Sequence, residues 1–569
     1  MRYLALATDF DGTLTSTSQI SPETVGALDR LRASGRKCIL VTGRQLRDLI
    51  NVCNCVDRFD YVVAENGAVL YQPSTMESTV LATSYSPELV EALRKRRIEP
   101  LEIGEVVIST RVPHQSVVLD AIRETGLELK VVFNRGAVMV LPPGINKATG
   151  LKRALRELSL SFHELVGIGD AENDHSFLQA SECAVAVSNA VEPIKQVAAI
   201  VTQGAAGVGV IELIDQLVAT DLAEIDSKLS HLHIALGRRL DGTAVQIPPY
   251  GQNILIAGPS GSGKSSLASG FVERLAREYY QVCIIDPEGD YVRLPHLVTL
   301  GDEVRVPSFE EILAVLRDPG INLNINLLGV RLPDRPAFFE QLLVHLQAMR
   351  ARTSRPHWLL IDEAHHLMPG SWGTVPLASP VELGETILVT VHPDHLSPVV
   401  LPIVDVVVAV GDTPDMTFRQ FTEAAGRAQL PPLALNAREN RAACWFTREA
   451  APPFPMEVIY ARAERIRHYR KYALGELADR SFFFRGRNRL LNLKAQNLAM
   501  FCQIAAGVDD DTWLFHLRQG DYSNWLRIVI KDDELADLAQ TLEQRHDLGA
   551  TETRYTLCDA ISSRYSLPE

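Results

Sequence analysis

The stretch NILIAGPSGSGKSSLASGFVERL, residues 253–275, constrains the fold of this chain more than any other. An apolar run enters a loop of the form G-x-x-x-x-G-K-S, and a segment with apolar residues at helical spacing leaves it. A strand, a tight loop and a helix in that order belong to a parallel α/β sheet. The glycines let backbone N–H groups close around phosphate oxygens at the amino end of the helix. Gly258, Pro259, Ser260, Gly261, Ser262, Gly263, Lys264, Ser265 and Ser266 are the expected nucleotide cradle. Lys264 is expected to reach the β and γ phosphates of ATP, with Ser265 as a ligand to Mg2+. Farther on, HWLLIDEAHHL gives a second apolar strand ending in Asp362-Glu363. Asp362 suits the Mg2+ shell and Glu363 the polarising of an attacking water, a pairing that favours hydrolysis over transfer to a hydroxyl. His365 and His366 are expected to cap or pack beside that site.

The amino-terminal third carries a different set of signals. In ATDFDGTLT, residues 7–15, an apolar strand runs into Asp9 and offers a second carboxylate at Asp11. Carboxylates at i and i+2 of an extended segment project to one side and repel unless a cation lies between them. Hard oxygen ligands suit Mg2+, and an aspartate can attack phosphorus. KCILVTGR ends a second strand at Thr42; INKATGLKRAL puts Lys147 just ahead of an amphipathic helix; ELVGIGDAENDHSFL ends a third strand at Asp170, with Asn173 and Asp174 following. Strand carboxyl ends are where open parallel sheets bind ligands.

DFDGT, VTGR, the lysine of INKATGL and GDAENDHSF, in this order, resemble the four motifs of the haloacid dehalogenase superfamily of phosphatases, specifically its sugar-phosphatase-like subfamily IIB, over roughly residues 1–218. The resemblance implies Asp9 as nucleophile and Asp11 as general acid and base. It further implies that Thr42 orients the phosphoryl group, that Lys147 neutralises charge, and that Asp9, Asp11, Asp170 and Asp174 make the Mg2+ site. Between the second and third motifs, SPELVEALRKRR and VVLDAIRETG read as helices, and EVVISTRV, LKVVFNR and AVMVLPP as strands. In the resembled family an insert here is a cap, as in trehalose-phosphate, sucrose-phosphate and archaeal phosphoglycolate phosphatases, so a small phosphorylated substrate is expected. Arg111, His114 and Arg135 are cap residues with the charge to meet it.

VCIIDPEGDY, together with the phosphate loop and LLIDEAHHL, resembles the HerA/FtsK-type ATPases over roughly residues 238–450, the HerA branch most closely. That resemblance implies a homo-oligomer, a hexameric ring, completed by an arginine from a neighbouring subunit, for which Arg419, Arg427, Arg438 and Arg441 are candidates. Thr390 of ILVTVHPDHL keeps the sensor threonine, but Val391 stands where these ATPases often carry glutamine.

The expected fold class is therefore α/β. A Rossmann-like phosphatase core at 1–84 and 146–218 carries an α+β cap at 85–145; a linker at 219–240 leads to an ASCE-type P-loop ATPase at 241–460; a mainly helical region follows at 461–569. In that last region a partner surface of Trp513, Phe515, Trp525 and Arg518 competes with a core reading of the aromatics, which their spacing favours. A net charge of −14 argues against general coating of nucleic acid, though a local basic face stays open. No apolar run is long enough for a membrane span, and no charged-then-apolar leader is present. The eight cysteines show no zinc-ligand spacing, so a reducing cytoplasm is expected. Three functions compete: a capped small-molecule phosphatase joined to a hydrolytic ATPase, which the residues favour; a HerA-like ring motor on nucleic acid; and a polynucleotide kinase-phosphatase.

Overall fold

A computed structural model describes residues 1–17, 19–134, 136–224, 233–260, 262–292, 294–372, 383–428, 430, 442–459, 481–486, 491–530 and 532–565. The chain divides into two compact units, Met1–Ala268 with Val272–Val458, and Ile459–Glu569 with Ser269–Phe271.

The first unit opens with strands β1 (Ala5–Thr8), β2 (Lys37–Val41), β3 (Tyr61–Ala64), β4 (Val69–Gln72) and β5 (Glu77–Val80). The insert contributes β6 (Glu102–Ile103), β7 (Ile108–Arg111), β8 (Lys130–Asn134) and β9 (Ala137–Leu141). The core resumes with β10 (Leu165–Gly169), β11 (Cys183–Ala186) and β12 (Ile200–Val201). These form an eight-stranded sheet in the order β12-β11-β10-β1-β2-β3-β4-β5, parallel from β12 to β3. Its central strands are buried along their length because helices cover both faces, which is why ALAT, CILV and LVGIG read as unbroken small and apolar runs rather than alternating ones. Strand order reverses direction at β1, so the carboxyl ends of β1 and β10 flank a crevice. The insert is a separate antiparallel sheet, β6-β7-β9-β8, with helices Pro87–Lys95 and Gln115–Thr125; both helices and three of these strands were read from the sequence, and the two-residue β6 was not.

A second sheet follows. Strands β13 (Ile234–Arg238) and β14 (Ala244–Ile247) form a hairpin, and β13 lies wholly inside the stretch expected to be linker. Then come β15 (Asn253–Ala257), β16 (Val282–Asp286), β17 (Leu297–Leu300), β18 (Asn322–Asn326), β19 (Trp358–Ile361), β20 (Thr386–Thr390), β21 (Val406–Val410), β22 (Ala442–Phe446) and β23 (Phe454–Pro455). Their order is β17-β18-β16-β19-β20-β15-β21-β22-β23, so β20 stands between the phosphate-loop strand β15 and the Asp362 strand β19. Strand β24 (Glu457–Val458) returns to pair with β13.

The two sheets of this unit meet through buried polar groups at the amino ends of β10 and β19. Glu164 and His357, each immediately before its strand, are bonded at 2.5 Å and are both buried. The Gln281 backbone N–H donates to His357 Nδ1 at 2.7 Å, so Nε2 carries the hydrogen donated to Glu164 and the ring is neutral, as its burial also demands. Burial raises the Glu164 carboxyl, but His357, Arg355 and the Ser161 N–H outweigh it and hold it below its ordinary value. Beside this pair, His163 stacks on Tyr280 with ring centroids 3.8 Å apart and bonds both Glu182 and the Glu278 carbonyl. Arg355 reaches the carbonyl of Ser159 from the other side.

The second unit contains a hairpin of β25 (Phe482–Phe484) and β26 (Leu493–Ala495). Helices Leu498–Gly507, Asp510–Gln519, Asp533–Gln544 and Ala550–Tyr565 follow it. LLNLKAQNLAMFCQIAAG, residues 490–507, carries apolar residues at helical spacing, yet its first part is strand: Leu493, Lys494 and Ala495 find hydrogen-bond partners in the three phenylalanines. Asn497 then caps the helix that does form. AERIRHYRKYALGEL, residues 463–477, whose apolar spacing reads as a helix, lies outside the described residues. Trp513 stacks on Tyr522 and Trp525 on Phe501, so the tryptophans are core. No described helix is long and apolar enough to cross a membrane.

Glu164→Ala leaves a buried imidazole N–H without an acceptor and should destabilise the first unit by about 3 kcal/mol. The depressed Glu164 carboxyl contributes fully above its ordinary value of 4.5, and that contribution is lost as pH falls through the lower folded value. The gap in urea midpoint between wild type and Glu164→Ala should therefore be wide at pH 7 and narrow below pH 4.5; a gap independent of pH would refute this account of the joint.

Candidate active sites

Asp9 follows β1 and Asp170 follows β10, so parallel pairing of these strands delivers both carboxylates to one edge. Asp174 enters from the short turn Glu172–Asp174 and is fixed by its own backbone: Oδ2 accepts the N–H groups of Asp170 at 2.9 Å and Ala171 at 3.0 Å. Thr13 Oγ1 donates to Asp170 Oδ1 at 3.0 Å. Lys147 is the first residue of helix Lys147–Glu157, whose N-cap Asn146 forms a capping box with Thr149. An ammonium there opposes the helix dipole, so acidic partners must hold it. They do: Nζ lies 2.5 Å from Asp9 Oδ1 and 2.5 Å from Asp174 Oδ1, all three residues being buried. The helix can come this close because Gly67, at φ +103°, and Gly150 touch backbone to backbone; a Cβ on Gly67 would lie 1.9 Å from the Asn146 carbonyl oxygen.

Asp9, Asp170 and Asp174 each present a carboxylate oxygen within 4.8 Å of the others. Burial and then Asp174 push the Asp9 carboxyl well above the usual aspartate range, against the pull of Lys147. Burial lowers Lys147, but Asp174 and Asp9 overcome it and raise the ammonium. One ammonium among three buried carboxylates leaves the cluster short of positive charge, and its hard oxygen donors fit a divalent cation of the Mg2+ type.

Asp11, expected in the same cation set, stands apart from it. Its carboxylate is gripped by Arg44 through two bonds of 2.7 Å, and Arg44 also bonds Asp48 at 2.6 Å. The physical reason is local: Arg44 of VTGR emerges beside the Asp9–Asp11 turn and offers a matching fork. Thr42 Oγ1 accepts from the Arg44 N–H at 3.1 Å at the end of β2.

Lys147 also lines a cavity of about 740 Å³, together with Asn66 and Asn173 of the core and Lys130, Val132 and Phe133 of the insert. Among the cap candidates, Arg111 is exposed and His114 is bonded to the Glu99 carbonyl, and neither lines the cavity. Arg135 lies outside the described residues. The sequence reading missed the joint between core and insert. Glu65 and Asn66 take left-handed conformations, φ 51° and 52°, and the buried Glu65 carboxylate accepts the N–H groups of Glu105, Val106 and Val107 at 3.0 Å each. Asn66 is bonded to Asn173 at 3.1 Å and touches Met139 of the insert. The only signal was Asn-Gly after an apolar strand, which reads as an ordinary turn.

At the second site, Gly258 has φ +155°, and a Cβ there would sit 2.0 Å from the Val410 carbonyl oxygen. Gly263 begins helix Lys264–Arg277 in a left-handed conformation. Pro259, Ser260, Ser262, Ser265 and Ser266 complete the described loop and first turn; Gly261 lies outside the described residues. Lys264 Nζ donates to the Pro259 carbonyl at 3.0 Å, and the buried Ser262 Oγ and Asp362 Oδ1 have no hydrogen-bond partner among the described residues. Burial and then Glu363 push the Asp362 carboxyl up to about 8, so this site too lacks positive charge and fits a Mg2+–nucleotide. Glu363 has φ 40°, a strained conformation for a side-chain-bearing residue, and its Oε2 lies 3.3 Å from His365 Nδ1. His365 bonds Thr390 Oγ1 at 3.1 Å; burial and neighbouring imidazoles hold it down at about 4, so it is a neutral packing partner. Asp286 of DPEGDY accepts the N–H groups of Gly289, Asp290 and Tyr291, which folds that turn beside β19. Arg419 is exposed, Arg427 is bonded to carbonyls of Thr447 and Pro402, and Arg438 and Arg441 lie outside the described residues.

A haloacid dehalogenase-like hydrolase family matches residues 6–102 and 101–214, and an AAA domain family matches residues 250–395. The phosphoglycolate phosphatase of Methanothermobacter thermautotrophicus is 32% identical over 219 residues, covering 37% of this chain and 96% of that protein. Phosphoglycolate phosphatase 2 of Saccharolobus solfataricus is 26% identical over 234 residues, 39% of this chain and 96% of that protein. A solved haloacid dehalogenase-like hydrolase from Bacteroides thetaiotaomicron aligns with 38% of this chain and 100% of its own, at 19% identity and a TM-score of 0.33.

Removing the Glu65 carboxylate as Glu65→Ala strips an acceptor from three N–H groups, a loss of roughly 1–3 kcal/mol at the joint. Amides 105–107 should then exchange hydrogen at least ~10-fold faster than in wild type. Unaltered protection would mean that the carboxylate does not hold the insert.

Proposed function

The chain belongs to the haloacid dehalogenase-like hydrolases, and from that premise we propose that its first third is a Mg2+-dependent phosphatase for a small phosphate ester of the phosphoglycolate type, joined to a P-loop domain that binds and hydrolyses ATP. The observation that carries this reading is the buried Asp9–Lys147–Asp174–Asp170 cluster, whose lysine lines a cavity bounded by the insert.

In the proposed reaction an Asp9 carboxylate oxygen attacks phosphorus. The ester oxygen leaves with its bonding pair and takes a proton from Asp11. Water then attacks the aspartyl-phosphate, gives a proton to Asp11, and the bond between phosphorus and Asp9 breaks. Lys147 aligns Asp9, Thr42 orients the phosphoryl oxygens, and Arg44 orients Asp11 beside rather than on the phosphorus. Asp9, Asp170 and Asp174 would hold the cation, whose contribution when bound is to neutralise phosphoryl charge. Lys130 in the cavity lining suits a substrate that carries a carboxylate besides its phosphate.

In the second domain, Lys264 and the loop amides take the phosphates, Ser265 and Asp362 the cation, and Glu363 the attacking water. The Asp362–Glu363 pair favours ATP hydrolysis over the phosphoryl transfer of a kinase. The Asp286 turn supports a HerA-like affiliation, and with it an oligomer whose neighbour supplies an arginine; exposed Arg419 suits that role.

Asp9→Asn should lower phosphate release from phosphoglycolate with Mg2+ by at least ~10²-fold, since the nucleophile is lost. Retained Mg2+-dependent release would sink the assignment. In a parallel assay, Lys264→Ala should abolish ATP hydrolysis and leave phosphoglycolate turnover unchanged. A matched fall in both rates would mean that the two sites are coupled.

A further inference from the structure

Imidazoles gather where β20 ends. The rings of His392 and His395 lie with centroids 4.6 Å apart, and His365 meets His392 edge-on at 5.8 Å. Asp394 stands between the first two in sequence, and its Oδ2 is 3.8 Å from His395 Nε2, too long for a hydrogen bond. One ligating atom from each of His392, Asp394 and His395 falls within 4.8 Å of the others. The backbone fixes this arrangement. Pro393–His395 is a single 3-10 turn, the His395 N–H donates to the His392 carbonyl at 3.1 Å, and the His392 N–H donates to Thr390 Oγ1 at 3.1 Å. Thr390 is itself buried at the end of β20, so the turn is tied to the sheet.

Among the described residues, the imidazoles of His392 and His395 make no hydrogen bond, although their loop is ordered by others. Two stacked, solvent-facing imidazoles beside a carboxylate offer nitrogen and oxygen lone pairs to one point. Donors of this type in this number suit a borderline cation, whereas Mg2+ prefers an all-oxygen shell.

We propose that His392, Asp394 and His395 form a binding site for a divalent transition-metal cation of the zinc class, separate from the carboxylate clusters of both active sites. It uses nitrogen donors, keeps an open coordination position towards solvent, and lies one imidazole, His365, away from Glu363. Metal bound there fixes the turn that follows Thr390.

The test is a Zn2+ titration of the full chain against a chromophoric chelator, with millimolar Mg2+ present so that oxygen-only sites hold the hard cation. Co2+ is followed separately by its visible absorption. Wild type should take up one Zn2+ per chain in competition and give a Co2+ spectrum with nitrogen ligation. His392→Ala with His395→Ala should weaken Zn2+ binding by more than the ~10-fold expected from disturbing a ligand's support alone. Asp394→Asn alters one exposed side chain without touching the fold, and should also weaken it. Asp9→Asn and Asp362→Asn should leave it unchanged. Zn2+ affinity that survives the double histidine substitution, or that falls instead with Asp9→Asn, overturns the proposal.

Discussion

Lys147 is the charge on which the amino-terminal site depends. Its ammonium sits between Asp9 and Asp174 in a buried crevice, and without it three carboxylates would face one another at low dielectric. Several features far apart in the chain serve that one contact. The Gly67–Gly150 approach draws the helix in, the Asn146 capping box starts it at the right residue, and the Asp174 carboxylate is locked by two backbone N–H groups. Even so, a single ammonium does not neutralise the cluster. The charge left over fits a divalent cation and a phosphoryl group arriving together.

The same economy of placement links the two halves of the first unit. Glu164 and His357 precede β10 and β19, and Asp170 and Asp362 follow those same strands. At about 3.3 Å per residue, Asp170 lies roughly 20 Å and Asp362 roughly 17 Å from the joint, each along a buried strand. Both sheets are thus fastened at their amino edges, which leaves both carboxyl edges free for chemistry. A buried hydrogen bond between a neutral imidazole and a carboxylate adds little net stability over an apolar contact, but it is costly to break on one side. It therefore specifies how the two sheets meet more than it strengthens them.

Charge shortage recurs at the second site in another form. Asp362 is pushed up by burial and by Glu363, Ser262 and Asp362 each keep a buried oxygen with no partner among the described residues, and Glu363 is held in a left-handed conformation. Unsatisfied polar atoms and strained backbone rarely persist without a function. Beside this polar pocket the histidines of IDEAHH and VHPDH divide. His365 is packed and neutral, as the sequence suggested, whereas His392 and His395 face solvent with Asp394.

The sequence by itself determined the elements and the chemistry they carry. Strand–loop–helix periodicity, the phosphate loop, the Asp-x-Asp turn and the acidic strand ends are local patterns, because backbone hydrogen bonding and side-chain spacing act within a few residues. The helices and strands of the insert were legible for the same reason. Only the tertiary structure decided which charges meet. It took Asp11 from the carboxylate cluster and gave it to Arg44, and it put Lys130 rather than Arg111 or His114 at the cavity. It also folded Leu493–Ala495 against Phe482–Phe484 as a strand, and joined Glu65 to the insert and Glu164 to His357. Those contacts span tens to hundreds of residues, and their energy comes from burial and from partners that no local window contains.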